Sequence, residues 1–366
     1  MKLLIQPSDG VGALLKSINR AKISVELTIF RFDHKGLEEA LTSAVKRGVS
    51  VHALIAHVNG SGGEALRKLE TRLLAAGVTV ARTDNGLARY HSKFVVIDRH
   101  ELFVLAFNFT HQDISQSRSF GLITKKRDVV HEAAALFEAD SNRRPYRPGA
   151  ANFVVSPLNA RQQLSSFIKG AKREILIYDP RISDSGMIRL LENRFDANVS
   201  VRIIGRVSNK KSRLPSRRFV NMRLHTRAMI RDRKTVFIGS QSLRELELDG
   251  RREVGLICND RAIVAALLKV FEEDWASSEE LKVSNDDARP AAKIAKKVAK
   301  TVTKDLLPVA PVLDELLKEV TSDDADVNVD PSEVEETVRQ EVKDAVKTVV
   351  QQVIEQKVEV VSASDD

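Results

Sequence analysis

Two stretches set 134 positions apart constrain this 366-residue chain most: His91-Ser92-Lys93-Phe94-Val95-Val96-Ile97-Asp98 and His225-Thr226-Arg227-Ala228-Met229-Ile230-Arg231-Asp232. In each, a fixed cation follows a histidine by two residues and an aspartate follows it by seven. If the apolar runs are strands, side chains alternate faces, so His91 and Lys93 point the same way, as do His225 and Arg227. A nucleophile or proton carrier then stands beside a permanent positive charge, twice, which suits chemistry on an anion such as phosphate.

Gly121/Gly255 and Asp140/Asp274 keep the same offset of 134. Nearer the start, Ala21-Lys22 returns as Ala171-Lys172 and Gly48-Val49-Ser50-Val51 as Asn198-Val199-Ser200-Val201, at an offset of 150. The chain is therefore a duplication. The difference of 16 residues places an insertion between His52 and His91, where Glu64 to Gly77 reads as an extra helix.

Within the first copy, Met1 to Ile5 reads as a strand, Val11 to Ile18 as a helix, Ile23 to Phe30 as a β-branched strand, Leu37 to Arg47 as a helix stopped by Gly48, and Val49 to Ile55 as a strand. That order predicts an α/β fold of two repeated lobes, each a mainly parallel mixed sheet flanked by helices. Helices over Asp128 to Ala139 and Ala262 to Trp275 close the copies. The expected organisation is a lobe over 1–140, a linker over 141–150, a lobe over 151–282 and a tail over 283–366.

Charge divides along the same boundaries. Residues 1–282 carry 47 basic and 31 acidic side chains, a balance of +16, and the remainder carries 11 and 19, a balance of −8. A body this basic favours anionic partners, phospholipid surfaces or nucleic acid. The segment Lys210, Lys211, Arg213, Arg217 and Arg218 precedes His225 and is a candidate substrate contact. The tail reads as helical or partly disordered; Val338, Val342, Val346, Val349 and Val353 form one helical stripe that can serve an oligomer contact. A single cysteine, Cys258, leaves no intrachain disulfide and reads as a small buried residue, and no Cys/His cluster has metal-ligand spacing. No run approaches the roughly 18 apolar residues of a membrane span, and no signal segment is visible, so the chain reads as cytoplasmic, with peripheral membrane contact open.

The doubled HxK with aspartate at plus seven resembles the phospholipase D superfamily over residues 1 to about 280. That family's GSxN element falls at Leu105-Ala106-Phe107-Asn108, where only the asparagine matches, and at Gly239-Ser240-Gln241-Ser242, where the asparagine is serine. Its downstream glutamate matches Glu253; the first copy has Ser119 there. The resemblance implies metal-free and cofactor-free covalent catalysis, with His91 as nucleophile and His225 as acid and base. Lys93, Arg227, Asn108 and Ser240 or Ser242 are then expected to hold phosphate oxygens, with Asp98, Asp232 and Glu253 in support. It further implies a phospholipase D-like or cardiolipin-synthase-like enzyme that hydrolyses or exchanges a phosphatidyl group. The alternatives are a nuclease of the same superfamily and a degenerate, non-catalytic binder of a phosphorylated ligand or partner, the latter motivated by Arg227 and Ser242.

Overall fold

A computed structural model describes residues 1–57, 64–83, 86–209 and 212–280. The tail, Lys210 and Lys211 lie outside the described residues. The first lobe runs β1 (Lys2–Gln6), α1 (Gly12–Arg20), β2 (Ser24–Ile29), α2 (Lys35–Lys46), β3 (Ser50–Ile55), α3 (Glu64–Ala75) and β4 (Thr79–Arg82). It continues through β5 (Arg89–Tyr90), β6 (Phe94–Ile97), β7 (Glu101–Leu105), α4 (His111–Ser115), β8 (Ser117–Thr124) and α5 (Arg127–Ser141). The second lobe repeats the plan as β9 (Phe153–Val155), α6 (Ala160–Lys169), β10 (Glu174–Ile182), α7 (Ser185–Asp196), β11 (Ser200–Val207) and β12 (Ser216–Arg218). There follow β13 (Arg223–Leu224), β14 (Arg227–Arg231), β15 (Thr235–Gly239), α8 (Glu245–Asp249), β16 (Arg251–Arg252), β17 (Val254–Cys258), α9 (Arg261–Ala276) and β18 (Glu279–Glu280). The inserted helix is α3, where the change of offset puts it.

The sheets are mixed, but the expectation that they are mainly parallel is corrected. In the order β1-β8-β7-β6-β2-β3-β4, only β2-β3 and β3-β4 are parallel; in β18-β12-β11-β10-β14-β15-β17-β9, only β12-β11 and β11-β10 are. Strand–helix–strand units build the parallel part. The segment after each histidine folds instead as hairpins, which pair antiparallel.

Alternation along the strands explains the layers. Phe94 and Val96 of β6 face a core shared by both lobes, with Leu176, Tyr178, Ile230 and Val236 from the second sheet, Phe137 from α5 and Phe271 from α9. Val95 and Ile97 face the opposite way, toward α1, α2 and α3. Both faces of each sheet are covered, so its strands read as continuous apolar runs. The repeated glycine reflects crowding here: a Cβ on Gly121 meets Leu105 at 2.8 Å, and one on Gly255 meets Phe237 at 2.4 Å.

The aspartates of the two opening stretches sit at hairpin corners. Asp98 and Arg99 (φ 51° and 49°) join β6 to β7, and Asp232 and Arg233 (both φ 53°) join β14 to β15. Two successive left-handed residues make the turn that matches strand twist, and aspartate tolerates that region better than most residues. Asp98 also accepts backbone N–H groups from Lys22, Ile23 and Ser24 at 2.7–3.1 Å, and Asp232 does the same for Lys172, Arg173 and Glu174. Each aspartate thus ties its hairpin to the Ala-Lys segment repeated at the other offset.

The lobes are joined by exchanged pairs that obey the duplication. Arg118 meets Asp274 at 2.8 and 2.9 Å, and its equivalent Arg252 meets Asp140 twice at 3.1 Å, all four buried or nearly so. Strand β5 pairs in parallel with β16 of the other lobe, as β13 pairs with β8. Directly beyond these short strands, the His91 amide donates to the Arg252 carbonyl (2.8 Å) and the His225 amide to the Arg118 carbonyl (3.1 Å). Each histidine is held by backbone of the opposite lobe.

Candidate active site

His91 and Lys93 lie in the irregular segment between β5 and β6, not on the strand that alternation predicts, and His225 likewise precedes β14. Their nearness comes from side-chain contact instead. Lys93 Nζ lies 3.0 Å from His91 Nε2 and 2.8 Å from the His91 carbonyl. Lys93 Nζ is also 3.1 Å from His91 Nδ1, which lies 2.8 and 3.0 Å from the two carboxyl oxygens of Glu253, and the Phe30 ring meets the imidazole edge-on at 4.4 Å. His91 is 7% exposed and Lys93 1%. Burial, reinforced by Lys93, Arg251, Arg227 and Arg89, holds the His91 imidazole well below its ordinary pKa. Burial also lowers Lys93 to about 7, against the pull of Glu253, and raises Glu253 to about 8. The 2.8 Å contact places one proton between His91 Nδ1 and Glu253; with that proton on Nδ1, Nε2 keeps its lone pair.

The second half is built from the same backbone with different contacts. His225, 6% exposed, places Nδ1 3.2 Å from Asp113 Oδ2, within ion-pair range but off the hydrogen-bond axis. Burial pushes His225 down to about 4, opposed by Asp113 and assisted by Arg223 and Arg227. Arg227 Nη2 lies 3.7 Å from Glu247, which also faces Arg251 at 3.4 Å and Arg244 at 3.5 Å. Burial works to raise Glu247, yet these three guanidinium groups outweigh it and bring the carboxyl to about 2.

Asp113 and Glu247 share the offset of 134, the sequence signal that marks them, and neither belongs to the motif residues. Asp113 accepts from the Asn108 amide at 2.7 Å and Glu247 from the Ser242 amide at 2.6 Å, so each short helix, α4 or α8, is pinned to the corner after β7 or β15. Asn108 also gives its side-chain N–H to Asp113 at 2.7 Å.

Other expected residues fall differently. Ser240 Oγ accepts from the Val254 amide at 3.2 Å, beside Glu253, whose charge it helps to stabilise. Ser242 is corrected as a phosphate contact: its hydroxyl is directed to Asp179, which burial raises to about 6, and to the Arg181 carbonyl at 2.9 Å. Asp98 and Asp232 serve the hairpin corners described above. Among the described residues of the basic segment, the arginines pair with groups other than the histidines. Arg213 pairs with Asp196 at 2.7 Å, Arg217 lies over the Trp275 ring at 4.5 Å and reaches Glu280 at 3.2 Å, and Arg218 pairs with Glu279 at 2.9 Å. Glu279 and Glu280 form β18, which pairs with β12 at the edge of the sheet away from β14. Among the described residues, no three His, Cys, Asp or Glu side chains converge as metal ligands, and no helix is long and apolar enough to cross a membrane.

A family model described as cardiolipin synthase, PLD-like domain, matches residues 14–141 and 164–275. The mitochondrial cardiolipin hydrolase of Canis lupus familiaris is 32% identical over 134 residues, which are 36% of this chain and 50% of that protein. The chain thus spans about half the length of the curated relatives it matches. Among solved structures, polyphosphate kinase from Porphyromonas gingivalis aligns with a TM-score of 0.63 at 18% identity, over 75% of this chain and 50% of that one. Phosphatidylserine synthase from Haemophilus influenzae Rd KW20 aligns with a TM-score of 0.62 at 12% identity, over 82% and 93%. At these identities the structural matches speak for the fold.

Proposed function

Because the chain belongs to the cardiolipin synthase, PLD-like domain family, we propose that it is a phospholipase D-like phosphodiesterase that hydrolyses or transfers a phosphatidyl group through a phosphohistidine on His91. The observation that carries the proposal is the exchanged grip on the histidines: Glu253 of the second lobe on His91, Asp113 of the first on His225.

In this reading, Nε2 of His91 attacks phosphorus while Nδ1–H stays directed at Glu253. The P–O bond to the leaving alcohol breaks, and His225 gives that oxygen its proton. His225 then takes a proton from water, for hydrolysis, or from an acceptor alcohol, for transfer. The resulting oxygen attacks phosphorus, and the P–N bond breaks. Lys93, Arg227 and Asn108 hold the non-bridging oxygens, an entering phosphate replacing His91 as the ammonium's partner. Arg227 stays charged at any working pH and can present two donors to two oxygens, so it preserves the cation of the motif while changing its geometry.

A nuclease reading is favoured by one observation, the +16 balance of residues 1–282, since phosphate contacts dominate nucleic-acid affinity. One experiment separates the two. The protein is given fluorescent phosphatidylglycerol with a primary alcohol and, separately, single-stranded and duplex DNA. Release of phosphatidate or transfer of the phosphatidyl group, lost in His91→Ala, is the expected result. DNA cleavage with inert lipid selects the nuclease. Equal inertness of wild type and His91→Ala on every substrate contradicts both readings.

A further inference from the structure

We propose that Asp113 is the positioning residue for His225, supplying from α4 the ring-orienting carboxylate that its half of the duplication lacks. For its kinetic consequence this rests on the phosphodiesterase reading above; its structural consequence stands without it.

The duplication equates position 119 with position 253, and the first lobe has serine there. Ser119 does not orient the ring, because its hydroxyl is committed to the His225 carbonyl at 2.6 Å. Left so, Nδ1 of a 6%-exposed histidine would have no carboxylate to fix its tautomer. Asp113 approaches Nδ1 at 3.2 Å and is itself immobilised. Arg223 holds Oδ1 at 2.6 Å, and the backbone and side-chain N–H groups of Asn108 each hold Oδ2 at 2.7 Å. A small ring rotation brings the Nδ1–H onto the Asp113 axis, the kind of tightening expected when substrate enters.

The equivalent position in the other lobe shows why the role is free to move. Glu247 is drawn to Arg251, which occupies the place of Ser117. Serine makes no such demand, so Asp113 is left to Arg223 and His225. Asp113 stays ionised: burial opposes ionisation, but His225, Arg223 and the Asn108 amide outweigh it and hold the carboxyl well below its ordinary range. The charged groups that act most strongly on His225 are Asp113 from α4, Arg223 from β13 and Arg227 from β14, and of these three Asp113 favours the imidazolium. An ionised carboxylate on Nδ1 keeps the proton there in the neutral ring and leaves Nε2 to collect and deliver the catalytic one. The pairing suits His225 to proton transfer, as the shared proton of His91 and Glu253 suits His91 to nucleophilic attack.

The test uses the full chain with 15N-histidine, His225 being assigned by loss of its signals in His225→Gln. At neutral pH the wild-type ring is expected as the Nδ1–H tautomer. In Asp113→Asn the amide can donate to Nδ1, and the ring switches to Nε2–H; Asp113→Glu retains Nδ1–H. Placing the carboxylate at the vacant equivalent position, Ser119→Glu on the Asp113→Asn background, restores Nδ1–H. Kinetically, Asp113→Asn lowers kcat about 100-fold with KM within a fewfold, and moves the alkaline limb of kcat/KM to lower pH. An unchanged tautomer in a folded Asp113→Asn protein overturns the proposal, as does an unchanged alkaline limb in an active one. A wild type inert on all diesters with the tautomer switch intact sinks the phosphodiesterase reading alone.

Discussion

In the first half-site, His91 touches both Lys93 and the Glu253 carboxyl of the opposite lobe, whereas in the second, His225 faces Asp113 and Arg227 faces Glu247. Around the two histidines the backbone is equivalent down to the amide that fixes each ring's residue. Among the differences at equivalent positions are lysine for arginine at 93 and 227, serine for glutamate at 119 and 253, serine for arginine at 117 and 251, and aspartate for glutamate at 113 and 247. Duplication preserves the frame, and a few side chains then give one histidine a shared proton and the other a fixed negative neighbour. Two rings that began as equivalents are thereby suited to different steps.

The sharpest way to break this comparison is to remove each ring. His91→Ala and His225→Ala are each expected to lose at least about 1,000-fold in kcat on an alkyl phosphodiester. They part on an aryl phosphodiester, whose leaving group needs no proton: His225→Ala recovers the first, phosphohistidine-forming step as a product burst, and His91→Ala does not. Equal rescue or equal failure would erase the division of roles.

Stability tests whether the halves are structurally equivalent. Asp140→Ala leaves Arg252 buried without its carboxylate and is expected to cost about 3–5 kcal/mol in urea unfolding. Asp274→Ala should cost more, because Asp274 also accepts from the Tyr178 hydroxyl at 2.7 Å.

The two cations provide a smaller contrast. Lys93 is boxed in by contacts of 2.8–3.1 Å, so Lys93→Arg overfills its site and is expected to lower kcat about 100-fold. Arg227→Lys keeps the charge, loses reach to Glu247, and is expected to lower kcat about tenfold. Similar losses from both would mean that the cations are not differently fitted.

The hairpin aspartates should behave alike. Asp98→Asn and Asp232→Asn are each expected to destabilise by about 1–2 kcal/mol at neutral pH. Although burial opposes it, the backbone N–H groups lower both carboxyl pKa values on folding. Their contribution is therefore complete above the unfolded carboxylate pKa and disappears as pH falls through the folded value. Stability of the asparagine variants should fall less steeply below about pH 4, as urea titration at several pH values will read.

Much of this was legible in the residues. The two offsets located the duplication and the inserted helix α3, and the resemblance to the phospholipase D superfamily marked Glu253. The meaning of Asp98 was not legible, because its partners are backbone amides some 75 residues earlier in the chain. Nor was the diversion of Arg217 and Arg218, whose partners Trp275, Glu279 and Glu280 follow by about 60 residues and meet them only once the sheet forms. Ser242 looked like a substituted phosphate ligand because Asp179, which takes its hydroxyl, stands on β10 at a position where the first copy has Ile29. Asp113 lay on the repeat offset, but an acid on a five-residue helix carries no signal of its own until His225 is placed beside it.

The most direct measurement of the central claim is the site of the covalent intermediate. A phosphatidyl diester with an aryl leaving group is mixed with His225→Ala protein, quenched at alkaline pH, where a phosphohistidine survives, and examined by intact and peptide mass spectrometry. The account predicts a stoichiometric adduct on the peptide containing His91 and none in His91→Ala. An adduct on any other residue, or turnover of this diester by the wild type with no adduct in His225→Ala, would contradict it.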